Sequence, residues 1–258
     1  MIRILTALCL CLLLSGPAWG QVDVRADLRA GAPGKVVTVT DGDTLTFADG
    51  REVRLVGIQA PKLPLGRANF KAWPMATEAK AMLEHLTLGR ELIPYVGGVA
   101  LDRHGRHLVH LFTKDGLWVQ GEMLRLGFAR VYTFADNRAV IPQMLAKEAE
   151  ARRKNAGMWA LGEYQILTPE EAADHVDGYH VVEGTVVSAA KVKGRVYLNF
   201  GADWRTDFTL ALSSDAVKLF TKDLLTLETK RVRARGWIDR YNGPMIDITH
   251  PEQLEILQ

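Results

Sequence analysis

The stretch VVTVTDGDTLTFADGREVRLVGIQAP, residues 36–61, contains three short runs of alternating apolar and polar residues separated by two tight turns. Val37 and Val39 alternate with polar residues, a pattern typical of a strand with one buried face. Asp41-Gly42-Asp43 forms the first turn and Ala48-Asp49-Gly50 the second, because Asp and Gly suit short hairpin turns. The stretch therefore predicts three successive strands at the start of the fold.

The residues that follow predict helices at the corners of a small barrel. Helices are predicted at 76–86, 119–126 and 142–155, the second stopped by Gly127 and the third by Gly157. Further strands are predicted at 91–96 and 107–112. Beyond residue 177, strands are predicted at 181–188, 195–200, 206–212, 231–239 and 245–248, with a helix at 214–224. The predicted fold class is α+β and mainly β, with an OB-type five-stranded barrel and three helices followed by a second small OB-like barrel.

The first twenty residues, MIRILTALCLCLLLSGPAWG, combine one arginine, an apolar run and a small-x-small ending. This pattern is typical of a secretory signal peptide, and the apolar run is too short for a membrane span. Cys9 and Cys11 both lie in it, so the mature chain would have no disulfides. We therefore expect a periplasmic or secreted protein with no membrane association beyond the signal peptide.

The sequence divides into five predicted segments. They are a signal peptide (1–20), a linker (21–33), a first domain (34–161), a connector (162–176) and a second domain (177–258).

Charge is unevenly distributed between the two halves. Residues 34–161 contain 18 basic and 13 acidic side chains, whereas residues 177–258 contain 11 of each. An excess of positive charge attracts phosphates, so the first half is the better candidate for binding nucleic acid.

Five motifs in the first half occur in an order that is similar to the staphylococcal (micrococcal) nuclease family. They are VTDGDTLTF, VRLVGIQAP, LDRHGRHLVHLF, LRLGFARVY and KEAEARRKNAGMWA. The resemblance covers residues 35–160 and implies phosphodiester hydrolysis. In that reaction calcium binds the phosphate, a Glu activates water and two Arg stabilise the transition state. It implies nucleic acid or nucleotide phosphates as partners.

The resemblance assigns roles to individual residues. Asp43 matches the first calcium carboxylate, and Arg54 and Arg106 match the two catalytic arginines that bind phosphate. Gln59 stands where the family has its second calcium carboxylate. Ala60 stands where the family offers a backbone carbonyl to the metal.

The loop after Arg54 departs from the family pattern at two positions. Lys62 stands where the family has its Glu, and a lysine of ordinary pKa, about 10.4, accepts no proton at neutral pH. Gln59 offers calcium only a neutral amide oxygen, so calcium would be held weakly. Losing a positioned base costs about 10²–10⁴ in rate. Lys62 with the two arginines would instead make a cationic cluster that holds phosphate without metal.

Other side chains of the first half are candidates for contact with substrate. Tyr132 and Phe134 match the family's pair of aromatic residues that pack on a nucleotide base, or they are ordinary wall packing. In the loop that starts at Lys62, Arg67 and Lys71 would line a track for the phosphate backbone, or form a solvated face.

Three interpretations of function stay open at this stage. The first is an exported protein that binds nucleic acid or phosphodiesters with doubtful catalysis. The second is an active calcium-dependent endonuclease with a modified site. The third is an envelope scaffold or protein-binding module with a protein partner.

Overall fold

The computed structural model describes residues 23–257, within which it contains fifteen β-strands and four α-helices. The signal peptide predicted for residues 1–20, with both cysteines, lies outside the described residues. The strands are β1 (Arg29–Ala30), β2 (Gly34–Asp41), β3 (Thr44–Phe47), β4 (Glu52–Leu55), β5 (Ile58–Gln59), β6 (Glu91–Val96), β7 (His107–Thr113), β8 (Arg130–Val131), β9 (Gly178–Thr185), β10 (Ser188–Val192), β11 (Arg195–Asn199), β12 (Thr209–Leu212), β13 (Arg231–Tyr241), β14 (Gly243–Ile248) and β15 (Leu254–Ile256). The helices are α1 (Ala76–Thr87), α2 (Val119–Arg125), α3 (Ile141–Arg153) and α4 (Ser214–Val217). In this part of the chain no helix is both long and apolar enough to cross a bilayer.

Strands β2, β3, β4, β7 and β6 form a closed barrel in that order, with β6 pairing back onto β2. All neighbouring strands are antiparallel except β4 and β7, which are parallel. A parallel pair requires a crossover connection, and this one contains α1 and β6. The predicted OB-type barrel with three helices is therefore confirmed for the first half of the chain.

One expectation about β2 is wrong. The alternation of Val37 and Val39 predicts that both share one face, but Val39 is buried and Val37 is exposed. The cause is a shift in register between Val36 and Thr38 opposite β3, which places Val36 in the core instead. An irregularity of this kind turns the following side chains to the other face of the sheet.

Two glycines, Gly127 after α2 and Gly157 after α3, bring the chain beyond these helices into contact. Gly127 and Gly157 both have positive φ angles, 74° and 55°. A Cβ atom on Gly127 would lie 2.0 Å from the carbonyl oxygen of Ala156, so only glycine fits there. The predicted stop at Gly127 is confirmed, since the Phe128 N–H bonds to the Met123 carbonyl across it at 2.8 Å. The predicted stop at Gly157 is wrong: Asn155, with φ 47°, takes the left-handed position that ends α3, and Gly157 begins the 3₁₀ turn that follows.

The second half forms another barrel with the same connectivity. β9 pairs with β13, which pairs with β14; β12 lies parallel to β14, and β11 and β10 follow. β9 and β10 are two parts of one bent stretch of chain, so the ring is closed. The predicted OB-like second barrel is confirmed, with β15 added beside β13.

The helix predicted for residues 214–224 is much shorter in the structure. α4 spans only Ser214–Val217, and the Asp223 side chain caps a separate 3₁₀ turn at Leu224–Leu227. A second N-cap within the stretch begins a new turn and interrupts the helix.

The two barrels meet at a buried ionic contact. Arg235 of β13 lies 3.1 Å from Glu148 of α3, and both side chains are fully buried. Glu148 also accepts a hydrogen bond from the Val131 N–H of β8, at 2.6 Å. The second barrel therefore contacts α3 and, through Glu148, is linked to β8 of the first barrel.

Candidate nucleic-acid interface

A cleft of about 780 Å³ lies on one side of the first barrel. The β4–β5 loop, the turn before β7 and the residues after β8 form its walls. Five cationic side chains line it: Arg54, Lys62, Arg67, Arg103 and Arg106. Tyr132 and Phe134 also line it. The structure thus brings nearly all the residues singled out from the sequence to one cleft, with Gln59 at its wall.

Asp43 lies at the base of the cleft, in the tight turn between β2 and β3. Its neighbour Gly42 packs so closely that a Cβ there would lie 2.6 Å from the Cβ of Ala60. The Asp43 side chain is fully buried, and its Oδ2 accepts a hydrogen bond from the Ala60 N–H at 2.8 Å. The hairpin therefore fixes the carboxylate against the loop that follows β5.

Lys62 supplies the cation for this carboxylate. Its Nζ lies 2.8 Å from Oδ1 and 2.7 Å from Oδ2 of Asp43, and 3.5 Å from Oδ2 of Asp41. The ammonium group therefore bridges both oxygens of Asp43, as a bound cation would.

Arg54 holds the same carboxylate from the other side. Its Nη1 lies 2.9 Å from Asp43 Oδ1, and its Nη2 donates to the Ile58 carbonyl at 2.8 Å. Burial alone would raise the pKa of Asp43, but Arg54, Lys62 and the Ala60 N–H outweigh burial and lower it to about 2. Asp43 is therefore ionised and fully partnered at neutral pH.

Asp41, on the cleft wall, has the opposite behaviour. Burial and the nearby charge of Asp43 raise its pKa, against the opposing effect of Lys62. The pKa values of Asp41 and Asp43 are thus shifted in opposite directions, although the two residues are only two positions apart. Such a difference in pKa between neighbouring carboxyl groups often accompanies acid–base roles.

Gln59 does not direct its amide oxygen to the cation position. Oε1 accepts from Arg130 Nε at 3.0 Å and from Arg130 Nη2 at 2.7 Å, and both side chains are buried. The Arg130 guanidinium also lies over the Tyr179 ring at 4.8 Å. The amide thus serves to hold β5 against β8, and its oxygen already carries two donors.

Arg106 projects into the cleft from the turn before β7. Asp102 accepts from its Nε at 2.8 Å and from its Nη2 at 2.7 Å. Backbone N–H groups of residues 104 and 106 donate to the same carboxylate. Asp102 therefore orients the guanidinium and leaves Nη1 for a ligand.

Arg67 occupies the outer lip of the cleft. Its Nε and Nη2 donate to the carbonyl oxygens of Pro64 and Leu63, and its guanidinium lies 3.7 Å from the Phe70 ring centroid. These contacts hold the loop in a turn, while the charge stays exposed at the cleft.

Comparison with known proteins agrees with this geometry. The sequence profile of the staphylococcal nuclease homologue family matches residues 52–161. A protein named "uncharacterized endonuclease" from Escherichia coli O157:H7 is 32% identical over 136 residues, covering 52% of this chain and 80% of that protein. The chain belongs to the staphylococcal nuclease family.

Two further relatives are similar to this chain. "Protein ParB" from Escherichia coli is 32% identical over 171 residues, covering 62% of this chain and 84% of its own length. "Probable staphylococcal-like nuclease CAN2" from Oryza sativa subsp. japonica is 30% identical over 128 residues, covering 50% of this chain and 30% of its own.

Calcium dependence is typical of this family, but the residues present here do not fit a calcium ion. Calcium takes six to eight oxygen ligands. Here both Asp43 oxygens are bound to Lys62, and the Gln59 oxygen is bound to Arg130. Among residues 23–257, no three or more His, Cys, Asp or Glu side chains form a group that could hold a metal.

Two residues that bond to the cleft wall were not identified from the sequence. Arg130 follows a helix and gives no motif of its own, although its place in LRLGFARVY puts it two residues before Tyr132. Trp237 comes from the second barrel, and its Nε1 donates to the Tyr132 hydroxyl at 3.1 Å. Only the packing of the two barrels relates residues that are 105 positions apart in the chain.

Proposed function

We propose that this protein binds the phosphodiester backbone of single-stranded nucleic acid without a divalent metal, using Lys62 as a built-in cation. The observation that carries the proposal is the Lys62 ammonium, which lies within 2.8 Å of both oxygens of Asp43. A covalently attached cation is present at every ionic strength and in the presence of chelators. It therefore replaces the charge of a metal, though not its coordination chemistry.

Phosphate binding would rest on the cations around this position. Arg106 is oriented by Asp102, and it retains Nη1 for a phosphate oxygen. Guanidinium and ammonium donors make charge-assisted hydrogen bonds to phosphate. Lys62, Arg54 and Arg106 lie on the wall of one cleft, so one phosphate can be contacted from several sides.

The same site supports a second candidate function, metal-independent hydrolysis of the phosphodiester. The observation in its favour is Asp41, which lines the cleft and has a pKa raised by burial and by Asp43. A carboxylate with a raised pKa is a better general base than an ordinary one. In this alternative Asp41 would take the proton of the attacking water, in place of the Glu that Lys62 replaces.

The place of action is also part of the proposal. Residues 1–20 have the pattern of a signal peptide, so we propose that the protein acts in the periplasm or after secretion. A fusion of residues 1–20 to a reporter that is active only outside the cytoplasm tests this, and an inactive reporter would contradict it.

The test of binding uses the chain from residue 21 and labelled single-stranded DNA and RNA, with fluorescence anisotropy measured in EDTA and in calcium. We expect the same Kd in both, because no metal takes part. We expect Arg106→Ala to weaken binding and to lower the slope of log K against log salt by about 0.7, the value for one phosphate contact.

Lys114→Gln is the matched control, since Lys114 is an exposed lysine that pairs with Glu91 at the end of β7. Binding that appears only with calcium would contradict the proposal. Binding to neither nucleic acid would overturn it in favour of a protein-binding role. Cleavage in EDTA that is lost in Asp41→Asn would establish the second candidate.

A further inference from the structure

Four aromatic rings form a continuous cluster where the two barrels meet beside the cleft. Tyr132 contacts Phe134 edge to face at 5.0 Å between centroids, and Tyr179 at 4.7 Å. Tyr179 lies opposite Trp237 on the paired strands β9 and β13, at 6.5 Å between centroids. The cluster therefore joins residues of the first barrel to residues of the second.

The two ends of the cluster are exposed and its middle is buried. Phe134 is 51% exposed and Trp237 is 45% exposed, whereas Tyr179 is almost fully buried. The Trp237 indole is held by its hydrogen bond to the Tyr132 hydroxyl, so its orientation is fixed while much of its surface faces solvent. A large aromatic side chain held in this way is not needed to fill the core.

The charges around Trp237 restrict what can bind there. Asp239 is exposed two residues further along β13, on the same side of the strand as Trp237. A phosphate placed against this part of β13 would be repelled. An uncharged planar group would not be, and base stacking on aromatic rings depends little on sequence.

We propose that Trp237 is a base-stacking residue, so that a single strand whose phosphate lies in the cationic cleft continues past Phe134 onto the second barrel. This rests on the proposed function, because the cleft supplies the phosphate contacts. Phe134 and Tyr132 line the cleft, and Trp237 is bonded to Tyr132, so the stacking surface is continuous with it. The second barrel thereby adds a binding position that the first barrel alone does not have.

The experiment compares oligonucleotides of twelve thymidines with and without bases at the positions flanking the central phosphate. We expect Trp237→Ala to weaken binding of the complete oligonucleotide by about tenfold, the lower part of the range for loss of one stacked base. We expect Trp237→Phe to stay within about threefold of the wild type, because it keeps a ring. The abasic oligonucleotide should bind wild type and Trp237→Ala equally.

Two controls separate stacking from other roles. Trp204→Ala removes a tryptophan of the second barrel that is similarly exposed but is not one of the four rings of the cluster, and it should bind like the wild type. Tyr132→Phe removes the hydrogen bond that orients Trp237 and keeps both rings. Light-induced crosslinking of an iodouridine oligonucleotide should label Trp237 directly.

The outcomes distinguish this inference from the proposed function. If the wild type binds no oligonucleotide, the proposed function fails and the inference with it. If the wild type binds but Trp237→Ala has an unchanged Kd and no crosslink forms, the inference alone is overturned. An equal loss with the abasic oligonucleotide would also overturn it, because the effect would then come from altered packing of the cleft.

Discussion

Two buried carboxylates, Asp43 and Glu148, are each held by two cationic side chains, yet they lie in very different surroundings. Asp43 binds Arg54 at 2.9 Å and Lys62 at 2.7 Å. Glu148 binds Arg235 at 3.1 Å and Arg152 at 3.2 Å. The chemistry is similar, but the side chains of Arg54 and Lys62 are 13% and 22% exposed and line the cleft, whereas Arg235 is fully enclosed.

This difference in access separates a binding site from a structural contact. The Lys62 side chain is 22% exposed and lines the cleft, so its charge is accessible to a ligand and adds to that of Arg106. Arg235 is enclosed by Glu148 and by Glu255, whose Oε1 lies 2.8 Å from its Nη2. Burial would lower the pKa of Arg235, but these carboxylates outweigh it and raise it. Its charge is therefore neutralised inside the protein.

The largest expected change is a loss of stability when the enclosed pair of Arg235 and Glu148 is broken. Arg235→Met leaves Glu148 buried without its main partner, and breaking such a pair costs about 3–5 kcal/mol. Urea unfolding should show this loss, whereas Arg195→Met, which breaks an exposed pair with Asp247, should change stability by less than about 1 kcal/mol. The double change Glu148→Gln/Arg235→Met should recover part of the loss. Equal costs for Arg235→Met and Arg195→Met would contradict the distinction by burial.

The second-largest expected change is in the pH dependence of the unfolding free energy, to which Asp43 contributes. Its pKa is about 2 in the folded protein against an ordinary 3.8, so it favours folding above pH 4 by about 2 kcal/mol. This contribution is lost as pH falls from about 4 through about 2. Asp43→Asn should therefore be less stable than the wild type at pH 7 and should lack this acid-induced loss. Asp174→Asn, at an exposed carboxyl, is the control; a wild-type profile for Asp43→Asn would contradict the account.

Lys62 should affect binding more than folding. Lys62→Gln removes the ammonium from the cleft, and we expect the Kd for single-stranded DNA to rise about tenfold, the loss of one charged hydrogen bond. The unfolding free energy should fall by less than in Arg235→Met, because Arg54 still pairs with Asp43. Anisotropy and urea unfolding on the same sample give both quantities. A large loss of stability with unchanged binding would place Lys62 with the structural pairs.

The smallest loss of stability is expected at a partly exposed pair within the contact between the barrels. Arg138 bonds Glu252 at 2.8 Å, but their side chains are 33% and 20% exposed. Arg138→Gln should lower the unfolding free energy by no more than about 1 kcal/mol. A cost similar to that of Arg235→Met would show that location at the contact, and not burial, decides the energy.

The fold could be predicted from the sequence because its signals are local. The Asp-Gly turns fix the first hairpins, and Gly127 ends α2, whereas α3 ends at Asn155 and not at the predicted Gly157. The bulge at Val36–Thr38 could not be foreseen, because a one-residue shift is set by pairing with β3. The helix predicted for residues 214–224 fails for a related reason, since the cap at Asp223 competes with the apolar pattern.

The candidate site was partly predictable for the same reason. Motifs place Asp43, Arg54 and Arg106 in order along the chain, and Lys62 is conspicuous by its charge. The partner of Gln59 is Arg130, 71 residues away, and no local pattern indicates that the amide would turn to it. Trp237 belongs to another barrel altogether. Contacts over such separations follow from packing, which the sequence does not display.

The central claim is that the Lys62 ammonium occupies the cation position of the cleft. Isothermal titration of calcium into the protein tests it most directly, with the double variant Gln59→Asp/Lys62→Glu as the comparison. The account predicts no calcium binding to the wild type and calcium binding to the double variant, where two carboxylates would be added to those of Asp43 and Asp41. Calcium binding to the wild type that is lost in Asp43→Asn would contradict it.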